Sequence, residues 1–212
     1  MDTRPRRQRE KEEIQRRVLD AARELFASEG FEAVTMRKIA ERVEYTPTAL
    51  YFHFKDKDAL FRRLCAEDFG ALAARFQVLS RVPDAMERLR MLGRGYIAFA
   101  LEHPHQYRLM FMTPGTPLGI ADSERAAAGR ELPDLAAYAF LRQTCSQAIA
   151  AGRLRPEFSD SGLVAQTLWA GLHGVAALAI ARGDETWVDW RPIEERPGAM
   201  VDSLLRGLAR EE

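Results

Sequence analysis

Between residues 35 and 57 the chain strings together Thr35, Arg37, Tyr45, Thr46, Thr48, Tyr51, His53 and Lys57. Hydroxyls, phenols, an imidazole and cations of this kind bond phosphate oxygens and the edges of bases. No nucleophile–base motif, Gly-rich phosphate loop or paired-carboxylate signature stands out elsewhere in the sequence. The chemistry on offer is therefore recognition rather than bond making. No enzyme activity and no cofactor is expected. His103 and His105 flank Pro104 without a Cys or carboxylate cluster beside them, so no metal site is expected either. Cys65 and Cys145 cannot make a disulfide framework; they read as small buried residues of a protein in a reducing compartment.

Local signals place these groups on helices. From Glu12 onward Ile14, Val18, Ala21, Ala22, Leu25 and Phe26 recur at helical spacing, and Gly30 is a C-cap. Thr35 is an N-cap for a short helix striped by Met36, Ile39, Ala40 and Val43. Thr46 caps a third helix whose first position is Pro47, where a missing N–H costs nothing. That helix is expected to end near Phe54. Asp56 should cap a fourth, running to about Leu79. The second and third helices, joined by Glu44-Tyr45, form a helix-turn-helix. Leu50 and Phe54 should anchor the third helix to Ile39 and Val43. Tyr45, Thr48 and Ala49 are then free to face bases, while Thr35, Thr46, Tyr51, His53 and Lys57 can reach phosphates. Phe52 could cover a thymine methyl or simply pack.

Charge agrees. Lys+Arg and Asp+Glu are 31 each, yet residues 1–64 hold 15 cations against 12 carboxylates, a net of +3 that the remainder balances. A basic front favours an anionic partner, here double-stranded DNA. Residues 1–11 read as a flexible basic arm with Arg4, Arg6, Arg7 and Arg9, either touching DNA or solvated. The first residues lack the apolar core of a secretory signal, and the longest apolar run, Leu168 to Ala181, is shorter than the ~20 residues of a membrane span. It reads as a buried helix, and the protein as cytoplasmic.

Further on, helices are expected to about Glu102 from Asp84, then over 104–112, 133–151, 160–182 and 194–209. A loop over Thr113 to Gly119 and an irregular or short helix over 120–130 complete an all-α chain. The domains are expected as 12–58 for the helix-turn-helix and 59–212 for a helical remainder.

The stretch Thr35-Met-Arg-Lys-Ile-Ala-Glu-Arg-Val, followed by Thr46-Pro-Thr-Ala-Leu-Tyr-Phe-His-Phe-Lys-Asp-Lys-Asp-Ala-Leu60, resembles the DNA-binding domain of TetR-family transcriptional regulators. Ala21-Ala-Arg-Glu-Leu-Phe26 and Gly30-Phe31 match that family's first helix. The family often has Gly where this chain has Glu44, so a positive φ there would cost roughly 1 kcal/mol. Downstream, His103-Pro-His-Gln-Tyr-Arg-Leu-Met-Phe111 and Leu168-Trp169-Ala-Gly-Leu-His173-Gly174 are similar to a TetR subgroup with Trp, His and Gly in its penultimate long helix. The resemblance implies a homodimer joined through the last two long helices. It also implies a cavity in each C-terminal domain and repression relieved by a small-molecule effector. Two recognition helices would then span an inverted-repeat operator, about 34–36 Å or a related helical spacing apart.

Tyr96, Phe99, His103, Tyr107, Met110, Phe111, Trp169 and His173 are the candidate ligand contacts, suited to an apolar or amphipathic molecule. For each of them core packing is the alternative, and His173 could bond across the core. Arg94 and Arg108 could snorkel to water or meet a ligand carboxylate. The rival for the whole chain is a small helical enzyme or carrier using the C-terminal cavity, which leaves the basic front unexplained.

Overall fold

A computed structural model describes residues 6–113, 133–183 and 185–210, with the side chains of 133–135 left aside. Arg4 of the expected arm, residues 114–119 of the expected loop and the segment 120–130 lie outside the described residues. Those described are helical, with one isolated antiparallel bridge between Leu154 and Ala209 and no strand. They group into two compact units. One holds residues 6–68 together with 105–113; the other holds 69–104 together with 133–210. The division falls after Asp68, inside a helix, rather than at residue 58.

In the first unit α1 is Arg6–Glu29, α2 Met36–Arg42 and α3 Pro47–Tyr51. Helix α4, Lys57–Gln77, starts here, and α6, Pro104–Phe111, lies here from His105 on. Helix α1 starts earlier than its apolar stripe, so residues 6–11 are helical. Arg6 pairs with Glu10 at 2.6 Å and Gln8 donates to Glu12 at 2.8 Å, so side-chain pairs one turn apart support these turns without burial. The core of the unit is an aromatic trio. Phe26, Phe31 and Phe61 have ring centroids 5.0–5.4 Å apart, two of the three pairs edge-on. Val18, Ala22, Val34, Ile39, Leu50 and Leu64 are buried around it.

The turn between α2 and α3 closes as a left-handed cap. Tyr45 N–H donates to Ala40 O at 2.9 Å, and Glu44 has φ 60°. A side chain at that φ costs about 1 kcal/mol or more, a cost glycine avoids. Glu44→Gly should therefore raise the unfolding free energy by about 1 kcal/mol, seen as a higher urea midpoint. An unchanged or lower midpoint would mean that the Glu44 side chain compensates its own strain.

The second unit is a helical bundle. Its elements are α5 Ala85–Glu102, α7 Pro133–Ala150, α8 Ser161–Arg182 and α9 Arg196–Leu208. Asp84 and Asp160 cap α5 and α8 through Glu87 N at 2.8 Å and Gly162 N at 2.7 Å. Leu89, Leu92, Ile97, Leu168, Leu172, Val201 and Leu205 fill the centre. Helices α5 and α9 approach so closely at Gly93 that a Cβ there would lie 2.7 Å from Val201 Cγ2. Cys145 is buried on α7, and burial pushes its thiol up to about 12, which makes it inert at neutral pH.

Candidate functional site

The short α3 owes its shape to its two ends. Thr46 accepts from Ala49 N at 3.2 Å and Pro47 takes the first helical position. The helix ends at Tyr51, earlier than Phe54, because Phe52 turns the chain and His53 and Phe54 N–H both close on Leu50 O. Leu50 and Phe54 are buried, as are Ile39 and Val43. The opposite side is open. Thr46, Pro47 and Thr48 are exposed, and Ala49 is half-buried. Tyr51 is 54% and Phe52 83% exposed, large aromatics that packing alone would have covered.

The flanking groups differ in how free they are. Thr35 is exposed and caps α2 by accepting from Lys38 N at 3.2 Å. Arg37 is exposed and pairs with Glu41. Tyr45 is half-buried under the Arg17 guanidinium, 5.8 Å from its ring centre. His53 keeps a buried Nδ1 with no hydrogen-bond partner. Lys57 is the least available: its ammonium donates to Phe31 O at 2.9 Å and sits 4.2 Å from the Phe31 ring centre. It ties the start of α4 to the loop after α1, which a reading from sequence as a phosphate ligand did not include.

A buried ionic cluster stands behind this surface. Asp68 on α4 is 2% exposed and takes two bonds from Arg23 on α1, at 2.9 and 3.3 Å. Gln106 on α6 adds a third at 2.8 Å. Burial pushes the Asp68 carboxyl above its ordinary value, outweighing the pull of Arg23 and Gln106 in the other direction.

The eight candidate ligand contacts divide between the units. Tyr107, Met110 and Phe111 belong to the first, where Tyr107 and Met110 are buried and the Tyr107 and Phe111 rings lie 4.9 Å apart. The other five belong to the second. Tyr96 Oη accepts from Trp169 Nε1 at 2.9 Å and lies 3.5 Å from His173 Nδ1. Desolvation lowers the His173 pKa, so the ring is held neutral at physiological pH. Phe99 is buried against the ring of the exposed His103, 5.1 Å between centroids. Tyr138, on α7, lies tilted against Trp169 with ring centroids 6.1 Å apart and was not picked out by its sequence surroundings. Arg94 is exposed, as snorkelling requires.

Residues 18–64 match the family described as bacterial regulatory proteins, tetR family, and residues 89–207 match the tetracyclin repressor-like C-terminal domain. The chain belongs to the TetR family. A curated relative, the HTH-type transcriptional repressor Rv1474c of Mycobacterium tuberculosis, is 41% identical over 59 residues, 28% of this chain and 32% of the relative. The chain thus spans about a third of the length of the curated relatives it matches first. A protein of unknown function from Rhodococcus sp. RHA1 superposes with a TM-score of 0.72 at 27% identity, covering 93% of this chain and 96% of that one. AibR, solved with isovaleryl coenzyme A and operator DNA, gives 0.70 at 21% identity over 90% and 97%.

Within this TetR-family fold α3 keeps one side open to solvent. A second feature lies on α8, read from its apolar run as buried and from the family resemblance as part of a dimer interface. Helix α8, expected to be buried, leaves Leu163 59%, Trp169 38% and Leu178 49% exposed. Thr167, Ala170, Gly174 and Ala181 fall between and beyond them at spacings of three and four residues, and Thr167, Ala170 and Ala181 are also exposed. An apolar run cannot by itself tell a core-facing stripe from one that a second chain would cover.

Proposed function

We propose that this TetR-family chain is a sequence-specific DNA-binding repressor. It would sit as a homodimer on an inverted-repeat operator and leave it when a small apolar or amphipathic molecule binds its C-terminal domain. The observation that carries the reading is the open side of α3, where Thr48, Tyr51 and Phe52 stand out from a helix capped by Thr46 and backed by Leu50. Thr48 and Ala49 are at the N-terminal end, where a recognition helix meets base edges. Tyr45, Thr46, Pro47, Tyr51 and His53, with Thr35 and Arg37 on α2, surround it as phosphate and base contacts. Lys57 contributes by holding the start of α4. The relatives are bacterial regulators rather than enzymes, and a cytoplasmic protein acting on DNA suits that company.

Trp169, His173 and Gly174 on α8 support assignment to the Trp-His-Gly subgroup. Tyr96, Trp169 and His173 would give an effector a polar anchor, and Phe99 and His103 an aromatic side. Helix α4 is uninterrupted from Lys57 to Gln77, so a change of direction imposed near Gln77 would reach Lys57 through covalent geometry. The effector shifts the equilibrium only by its differential affinity for the two states.

The test is binding of the full-length protein to duplex DNA from its gene's own upstream region, by gel shift at several salt concentrations. Salt-sensitive, sequence-selective binding is expected. Its absence would favour a helical carrier or enzyme. Tyr51→Ala should cost about 1.5–3 kcal/mol per lost phosphate contact, tenfold or more in affinity, on every sequence alike. Thr48→Ala should instead change which base is preferred. If Thr48→Ala weakened all sequences equally, Thr48 would not be a base contact.

A further inference from the structure

Residues 6–17 of α1 precede Val18, its first buried side chain. About three turns, ~18 Å at 1.5 Å per residue, therefore stand without a buried face. Their direction follows from two contacts. Arg17 donates to Val43 O at 3.4 Å and lies over the Tyr45 ring, at the turn before α3. Gln15 and Leu19 line a cleft of about 250 Å³ together with His53, Phe54, Lys55, Ala59 and Arg63, at the link after α3. Helix α1 thus passes both ends of the recognition helix at residues 15–19. Its earlier turns run on past them.

Those turns are rich in uncommitted cations. Arg7, Arg9, Lys11 and Arg16 are exposed, and among the described residues none of the four is ion-paired. Arg6 is different, being paired with Glu10. Arg7 and Lys11 lie one turn apart, and Gln15, one turn further, is the residue that lines the cleft beside His53 and Lys55. One line of the helix therefore leads from the α3–α4 link to two free cations.

We propose that the first turns of α1 are a second DNA contact, with Arg7 and Lys11 on the phosphate backbone outside the bases that α3 reads. The proposal rests on the DNA-binding reading above. Phosphates are the fitting partner because the groups are cations on a solvated helix, with no apolar surface to recognise a base or a protein. Arg9 and Arg16 flank the line and add to the positive field. The contact raises affinity for any flanking sequence and leaves operator choice to α3.

The experiment compares wild-type protein with R7Q/K11Q and with R206Q/R210Q, which removes the same charge from exposed positions of the other unit. The probes are a duplex selected from a random-sequence pool by the wild-type protein, and a random duplex of equal length. Affinity is read against salt, and the protected length by footprinting. Circular dichroism checks that each variant is folded. R7Q/K11Q should make the log–log salt slope shallower by about two per protomer and shorten the footprint at both ends, with the base preference kept. R206Q/R210Q should leave slope and footprint alone. An unchanged slope for R7Q/K11Q, or an equal change for both variants, overturns the α1 contact while leaving DNA binding intact. Failure of the wild-type protein to select any duplex overturns the reading on which the contact rests, and the contact with it.

Discussion

Asp68→Ala is expected to lower the unfolding free energy by about 3–5 kcal/mol, the cost of leaving one member of a buried ion pair without the other. The Asp68 side chain is 2% exposed and its partner Arg23 17% exposed. Removing the carboxylate leaves the guanidinium only its exposed partner Asp20, at 2.7 Å, and orphans the Gln106 amide that Asp68 accepts from. The direction of the Asp68 shift refines the expectation. Desolvation raises the Asp68 pKa against the pull of Arg23, and a buried ion pair of this kind is replaceable by well-packed apolar side chains at little cost. The double substitution R23M/D68L should accordingly recover most of the stability that Asp68→Ala loses. Urea unfolding of the three variants decides the matter. A loss below about 1 kcal/mol for Asp68→Ala would mean that water reaches the cluster.

The second large effect is expected on α8. Leu163→Asp with Leu178→Asp places two carboxylates on the exposed apolar stripe while touching little of the protomer's own core, since both side chains are about half exposed. If a second copy covers that stripe, the charges must be desolvated on association and the dimer dissociates. A monomer loses the linkage between two half-sites, so operator affinity should fall by about 10²–10⁴-fold. Sedimentation at micromolar concentration reads the mass, and the gel shift reads the affinity. An intact dimer would remove this stripe from the interface. A monomer that binds DNA as well as the parent would remove the need for two subunits.

What the sequence reveals and what it hides follow a physical line. Caps are local, so Thr35, Thr46 and Asp84 announced α2, α3 and α5 within a residue or two. The strained Glu44 was legible through the family resemblance, which often places Gly at that turn. Helix α1 was read too short because apolar periodicity carries no signal where a helix has no buried face. Partners distant in sequence were harder. Nothing near Lys57 indicates that its ammonium will meet the Phe31 carbonyl, 26 residues away. Nothing near Asp68 distinguishes it from the surface carboxylates around it, although it alone gathers Arg23 and Gln106. The ligand candidates were grouped by residue type, which does not reveal that Tyr107, Met110 and Phe111 fold with the first unit and Tyr96 with the second.

That first unit is discontinuous in the chain: residues up to Asp68 are completed by α6 from His105 on. No single stretch of polypeptide contains it. A fragment ending at residue 58 would sever α4 two residues after it begins and discard Asp68 and Gln106 together. A graft that keeps Asp68 bonded to Gln106 must therefore carry two separate segments of chain.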